Sequence, residues 1–317
     1  MYKLVYILKT YNSIKSFIIQ ESTILTIGTF DGVHLGHKKI LDKLVARAKE
    51  ANLKSIVLTF FPHPRMVLQH ENTIKLLNTL EEKEKLFEQL GIDNLIIHPF
   101  NQEFSQLSAE DFIKKIVVDQ LNITKIIIGY DHRFGKNRSA DIADLIQFGL
   151  KYNFEIEQIS VEEINDIAVS STKIRNALLN GEIEIANNYL GYNYSLTGKV
   201  VMGNQLGGTI GFPTANIEIE EDYKLIPKNG VYIVSSFIDN QLVYGMMNIG
   251  NRPTVNGNNQ TIEVHFLNFN KDIYSQNIEI SILHYFREEI KFNSLEELKQ
   301  QLIKDQISTN VFIASMK

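Results

Sequence analysis

Up to about residue 187, apolar residues fall into short runs separated by amphipathic stretches. ILTIG (24–28), SIVLTFF (55–61), NLIIHPF (94–100), KIIIG (125–129) and FEIEQI (154–159) are rich in β-branched and aromatic residues and predict strands. Between the first two, GHKKILDKLVARAKE places Ile40, Leu41, Leu44, Val45 and Ala48 on one face at helical spacing. Strand, helix and strand at these distances predict a parallel sheet with helices on both sides. The near-continuous apolar runs suit strands covered on both faces.

After Gly191 the helical period stops. LTGKVVMG (196–203), TANIEI (214–219), VYIVSSFI (231–238), LVYGMMNI (242–249), TIEVHFLNF (261–269) and IEISILHYF (278–286) are strand-like, and Asp239-Asn240 between two of them signals a tight hairpin. That pattern predicts a small antiparallel barrel. A last helix opens at Ser294 with Glu297 at capping-box spacing, followed by Leu298 and Leu302. The pattern therefore divides the chain into 1–186 and 187–317, closely joined, with no repeat and no low-complexity tract.

Composition narrows the chemistry. At 317 residues, each half is long enough to bury a core. The formal net charge is −5 and neither half carries a basic excess, which argues against a general nucleic-acid or anionic-membrane surface. Cysteine is absent, so disulfides, thiolate metal sites and a cysteine nucleophile are excluded. The first twenty residues are broken by Lys3, Lys9 and Lys15 and carry no small-residue cleavage site, so the expected location is cytoplasmic.

Between the first strand and the first helix stands GTFDGVHLGH (28–37). In open parallel sheets ligands bind beyond the carboxyl ends of the strands, and a helix N-terminus there favours phosphate. The string is neither a G-x-x-x-x-G-K-[ST] loop nor a dinucleotide fingerprint. FFPHPR (60–65) alone reads as a turn, GYDHRFGKNRSAD (129–141) as a polar loop, and VSSTKIR (169–175) as a capped helix start with Ser171 and Arg175 one turn apart.

Taken in order, these four stretches resemble the adenylyl and cytidylyl transferases with a Rossmann-like fold, in their flavin-nucleotide branch. The resemblance implies that His34 and His37 stabilise charge on the phosphates, with Gly28, Thr29, Phe30, Asp31, Ser171, Thr172 and Arg175 binding ATP. It implies a flavin site at Phe61, Pro62, His63, Asp131 and Arg133. His132 stands where the family has an aromatic residue, which affects a stacking or packing contact.

In the second half, GFPTANI (211–217) follows a glycine-rich loop, and strand geometry puts the hydroxyl of Thr214 beside the amide of Asn216, a donor set suited to Mg²⁺. Glu263 and His265 share a face of one strand, as either an ion pair or a base with a neighbour. G-F-P-T-A-N, N-I-G-N-R-P-T (248–254), I-E-V-H-F and R-E-E-I-K-F-N-S-L-E-E-L (287–298) resemble riboflavin kinase. The resemblance implies Glu263 as the base that deprotonates a ribityl hydroxyl and Thr214 and Asn216 as metal ligands. It also implies Gly203, Gly207, Thr209, Thr214 and Asn216 at ATP, and Arg287 and Glu288 at riboflavin. The family has arginine where this chain has Gly208.

The whole chain is thus similar to the bifunctional riboflavin kinases and FAD synthetases of bacteria. The expected ligands are riboflavin, FMN, FAD, ATP and Mg²⁺, with no nucleic acid, membrane or obligate protein partner. A competing reading, raised by Gly208, keeps only adenylyl transfer and makes the barrel a flavin-binding regulator. Against a third, a non-enzymatic nucleotide or nucleic-acid binding module, stand the near-neutral halves and the lack of interleaved basic and aromatic residues on the barrel strands.

Overall fold

A computed structural model describes residues 7–18, 21–68, 74–130, 132–160, 169–203, 206–254 and 257–316. Its contacts divide the chain into two compact units, 1–171 and 172–317.

In the first unit the described strands are β1 (Lys9–Tyr11), β2 (Thr23–Ile27), β3 (Lys54–Phe61), β4 (Asn94–Pro99), β5 (Ile123–Gly129) and β6 (Glu155–Ile159). They pair in the order β1-β4-β3-β2-β5-β6, every neighbour parallel. Alternate residues serve opposite faces, as period-two geometry requires. Ile24, Val57, Leu95 and Ile127 pack with Leu41, Leu44 and Val45 of helix α1 (Leu35–Ala51) and Phe87 of α2 (Leu80–Leu90). Leu25, Ile56, Ile96 and Ile126 pack with Phe112, Ile116 and Leu145, the last from α3 (Ile142–Tyr152). Helices therefore cover both faces. The chain leaves β2 toward β3 and β4, then returns to place β5 on the other side of β2. That reversal opens a crevice at the carboxyl ends of β2 and β5, where GTFDGVHLGH and GYDHRFGKN begin.

The second unit begins with helices α4 (Ser171–Asn180, its first residue in the first unit) and α5 (Ile183–Leu190). They pack with the barrel: the Lys228 amide donates to the Leu178 carbonyl, and Asn187 bonds the backbone of Ile282 and Tyr194. The barrel strands are β7 (Ser195–Val201), β8 (Ala215–Glu218), β9 (Gly230–Ile238), β10 (Gln241–Thr254), β11 (Gly257–Phe266) and β12 (Asn277–Arg287). They close in the order β10-β11-β8-β7-β12-β9, all antiparallel. At the expected hairpin, Ile238 pairs with Gln241 and both Asp239 (φ 49°) and Asn240 (φ 60°) are left-handed, the two-residue turn that matches strand twist.

The final helix, α6 (Leu295–Ser315), starts where expected, with the Ser294 hydroxyl accepting the Glu297 amide. The Glu297 carboxylate reaches one residue further back than a capping box, to the amide of Asn293. Its fully buried side chains are Asp305 and Thr309, while Ile303, Ile307 and Val311 face outward. Leu298 and Leu302 lie on the same face as Asp305 and Thr309, and Leu302 packs with Phe212, Met246 and Leu267.

Candidate active sites

The loop after β2 is held in an uncommon shape. Gly32 (φ 86°) occupies a left-handed conformation that suits glycine, but Phe30 (φ 47°) and Val33 (φ 36°) do so as well. Such conformations are costly, for a β-branched residue above all, and persist only where the surroundings hold them. The surroundings here are specific. The buried Asp31 carboxylate accepts the Leu77 amide at 2.8 Å, and the Asp31 carbonyl accepts the Ser171 hydroxyl at 2.8 Å. Thr29 offers its carbonyl to the Thr59 hydroxyl at 3.2 Å and to the Lys83 ammonium at 2.9 Å.

His34 caps α1, its Nδ1 accepting the His37 amide at 3.3 Å. With Nδ1 an acceptor, the neutral ring carries its proton on Nε2, so the cap fixes which nitrogen donates. The two imidazoles stack, 3.7 Å between centroids and 13° apart in plane. Burial, then the neighbouring His34, then Lys83 hold His37 well below the ordinary imidazole range. Its buried Nδ1 has no hydrogen-bond partner among the described residues. A site made of a helix N-terminus, two stacked imidazoles and a buried lysine can gather the charge of a phosphate chain.

The remaining candidates of this unit lie on loops around the strand ends. Gly28 closes on the Phe30 ring, with 3.1 Å left for an added Cβ. Phe61-Pro62 is a cis peptide at the end of β3, and His63 Nδ1 accepts the Arg65 amide at 3.2 Å. Arg133 is exposed, and His132 stacks on Phe134 with 6.0 Å between ring centroids. Asp131 lies outside the described residues. On α4, Thr172 is exposed and Arg175 half-buried, both in the second unit. Lys83 was not anticipated from the sequence. The available signal was a single charge on the apolar Leu80/Phe87 face of α2.

In the barrel, register brings the second constellation together. Asn216 on β8 and Asn248 on β10 both pair with Glu263 on β11, so one row across three strands reads Asn216, Glu263, Asn248. Thr214, just before β8, donates to the Glu263 carboxylate at 3.4 Å. His265 Nδ1 is 2.8 Å from the Pro213 carbonyl and its ring leans on Phe212. Between the ion-pair and base readings of the β11 face, His265 thus serves the G-F-P-T turn. Gly207 lies against Phe212, whose amide donates to the Gly207 carbonyl at 2.8 Å, and Thr209 ends the same short helical turn. Among the described residues, nothing lies within 4 Å of a Cβ added at Gly208.

Gly203 is the tightest of these contacts, since a Cβ added there would fall 2.0 Å from Asn216 Nδ2. Gly203→Ala should push the Asn216 amide out of the row and lower FMN formation roughly 10²-fold, the scale of a displaced positioning group. FAD formation from supplied FMN should persist; equal initial rates of FMN formation in variant and parent would refute the placement.

Arg287, expected at riboflavin, is engaged within the protein. Its Nε and Nη2 are joined to the buried Asp305 carboxylate, at 2.6 Å for the shortest contact, and Nη1 donates to the Glu288 carbonyl. The guanidinium fastens β12 to α6. Glu288 is exposed and paired with Lys228. Arg287→Met would leave the buried Asp305 carboxylate without its cation, held only by the Gln301 amide among the described residues, and should cost about 3–5 kcal/mol in urea unfolding. A raised KM for riboflavin with no loss of stability would favour the ligand role instead.

A parallel sheet with histidines at its switch point, on one chain with a closed barrel carrying hydroxyl, amide and carboxylate in register, defines a nucleotidyltransferase unit joined to a small-molecule kinase unit. The family models agree: FAD synthetase matches residues 17–173 and riboflavin kinase residues 190–313. The chain belongs to the bifunctional riboflavin kinase/FMN adenylyltransferase family. It is 40% identical to the member from Buchnera aphidicola subsp. Schizaphis graminum, covering 90% of this chain and 93% of that one. It is 38% identical to the Listeria monocytogenes member, with 93% of each covered, and 35% to that of Escherichia coli K12, with 94% and 95% covered. A crystal structure titled as a macrolide-efflux protein from Streptococcus pneumoniae superposes with a TM-score of 0.85 at 28% identity, over 96% of this chain and 98% of that one. No described helix of this chain is long and apolar enough to cross a membrane.

Proposed function

We propose that this chain phosphorylates riboflavin to FMN in its barrel unit and adenylylates FMN to FAD at its parallel sheet. The observation that carries the reading is that each unit holds a separate constellation suited to one of the two chemistries. We assign residues 187–317 to the first reaction and 1–186 to the second.

In the kinase reaction the nucleophile is a neutral alcohol. The ribityl oxygen bonds to the γ-phosphorus of ATP, ADP leaves, and the hydroxyl proton needs an acceptor. Glu263 is that acceptor, oriented by the Thr214 hydroxyl. Thr214 and Asn216 present uncharged oxygen donors of the kind Mg²⁺ takes alongside phosphates and water, and Gly203 presses on the Asn216 amide. Bound there, the ion would neutralise phosphate charge. Gly203, Gly207 and Thr209 line the approach of the nucleotide.

In the adenylyl transfer the nucleophile is already anionic. A phosphate oxygen of FMN bonds to the α-phosphorus of ATP and pyrophosphate leaves, so no base is needed. His34 and His37 stabilise the charge that builds up, as donors to the phosphates. Gly28, Thr29, Phe30 and Asp31 shape the loop that receives ATP, and Ser171, Thr172 and Arg175 serve its outer phosphates. Phe61, Pro62, His63, Asp131 and Arg133 form the flavin side.

The test is one incubation of the protein with riboflavin, ATP and Mg²⁺, with the flavins resolved over time. FMN followed by FAD is expected. Conversion of supplied FMN with riboflavin left untouched would remove the kinase assignment, and turnover of neither would overturn the reading.

A further inference from the structure

Helix α2 carries a lysine where its own pattern asks for an apolar side chain. Leu80, Lys83 and Phe87 share one face, and Phe87 is fully buried while Lys83 is 5% exposed. A capping box fixes how that face is turned: the Thr79 hydroxyl accepts the Glu82 amide and the Glu82 carboxylate accepts the Thr79 amide. Among the described residues, the only hydrogen-bond partner of the Lys83 ammonium is the Thr29 carbonyl, although an ammonium has three donors. Burying a cation with one carbonyl as its hydrogen-bond partner is costly, and methionine would fill the face at lower cost.

The segment containing this helix grips the glycine-rich loop at three successive residues. Lys83 takes the Thr29 carbonyl, Phe87 meets the Phe30 ring edge-on at 5.9 Å, and the Leu77 amide takes the Asp31 carboxylate. Phe30 in turn meets His37 edge-on at 5.3 Å. Burial lowers the proton affinity of Lys83 and the charge of Asp31 restores part of it. The Lys83 charge acts on His37 in turn.

Resting on the adenylyl-transfer reading above, we infer that Lys83 is a positioning residue for that reaction, fixing the 28–34 loop through the Thr29 carbonyl and adding positive field where the triphosphate gathers. It acts through the loop and through its charge, without touching the reacting atoms.

Two variants of the full chain separate these contributions. Lys83→Gln keeps a donor for the Thr29 carbonyl and removes the charge, whereas Lys83→Met removes both. With FMN, ATP and Mg²⁺, Lys83→Met should lose roughly 10²-fold in kcat/KM, the scale of one lost electrostatic group, and Lys83→Gln less. Riboflavin phosphorylation should be unchanged in both. The charged or titratable groups acting on His37 are His34 at the cap of its own helix and Lys83 on α2, so a histidine NMR titration should move His37 upward in both variants. A packing role alone would leave that titration in place for Lys83→Gln. Folded variants with parental FAD formation and an unmoved His37 overturn the inference; if Lys83→Met does not fold, Lys83→Gln decides. If the parent makes no FAD, the functional reading falls, and the titration still decides whether Lys83 acts on this site.

Discussion

Glu263→Gln is expected to stop riboflavin phosphorylation while FAD still forms from supplied FMN. The substitution is nearly isosteric and its amide oxygen can still accept the Thr214 hydroxyl, so the row Asn216, Glu263, Asn248 should keep its register. What it loses is the proton acceptor. General bases contribute roughly 10²- to 10⁴-fold, and FMN formation should fall within that range. The measurement is the initial rate of FMN formation, with FAD formation from FMN in the same preparation as a control. Parental FMN formation would remove Glu263 from the chemistry and leave the row a structural feature of the barrel.

His37→Ala should give the opposite pattern, with FAD formation reduced roughly 10²- to 10³-fold and riboflavin phosphorylation retained. Its buried Nδ1 lacks a partner among the described residues, its ring stacks on His34, and its surroundings favour the neutral imidazole. A neutral ring stabilises phosphate by a directed N–H rather than by full charge, so truncation to alanine removes the interaction completely. It also opens space beside Phe30, so the thermal midpoint must be followed in parallel. Loss of both activities in a folded protein would count against two independent sites. An unaltered FAD rate would remove His37 from the mechanism.

The two expectations differ because the nucleophiles differ. An alcohol must lose a proton, so its site needs a carboxylate; a phosphate monoester arrives as an anion, so its site needs donors. That contrast is legible in the residue types alone, with His34 and His37 in one half of the chain and Glu263 in the other.

Most of the elements were legible too. Five strands of the sheet and all six strand-like runs of the barrel stand within a few residues of their expected places, except that β10 and β11 extend further. Strand β1 was missed: Lys9–Tyr11 has only three residues and no apolar period, and exists by pairing with β4. On α6 the inward face was legible at Leu298 and Leu302, but the burial of Asp305 on it was not, because that depends on Arg287 arriving from another element. Lys83 was passed over for the same reason, since a charge on an apolar face explains itself only when the Thr29 carbonyl is beside it.

By itself, then, the sequence determined periods, turns and residue chemistry, because these depend on neighbours along the chain: the alternation of β11, the left-handed Asp239-Asn240 turn, the histidines opening α1. Only the tertiary structure decided the meetings between distant segments. Pairing of β10, β11 and β8 placed Asn248, Glu263 and Asn216 in one row, and α2 brought Lys83 to the loop it supports. Burial and distance set the cost and strength of a charge, and both are properties of the folded chain rather than of its order of residues.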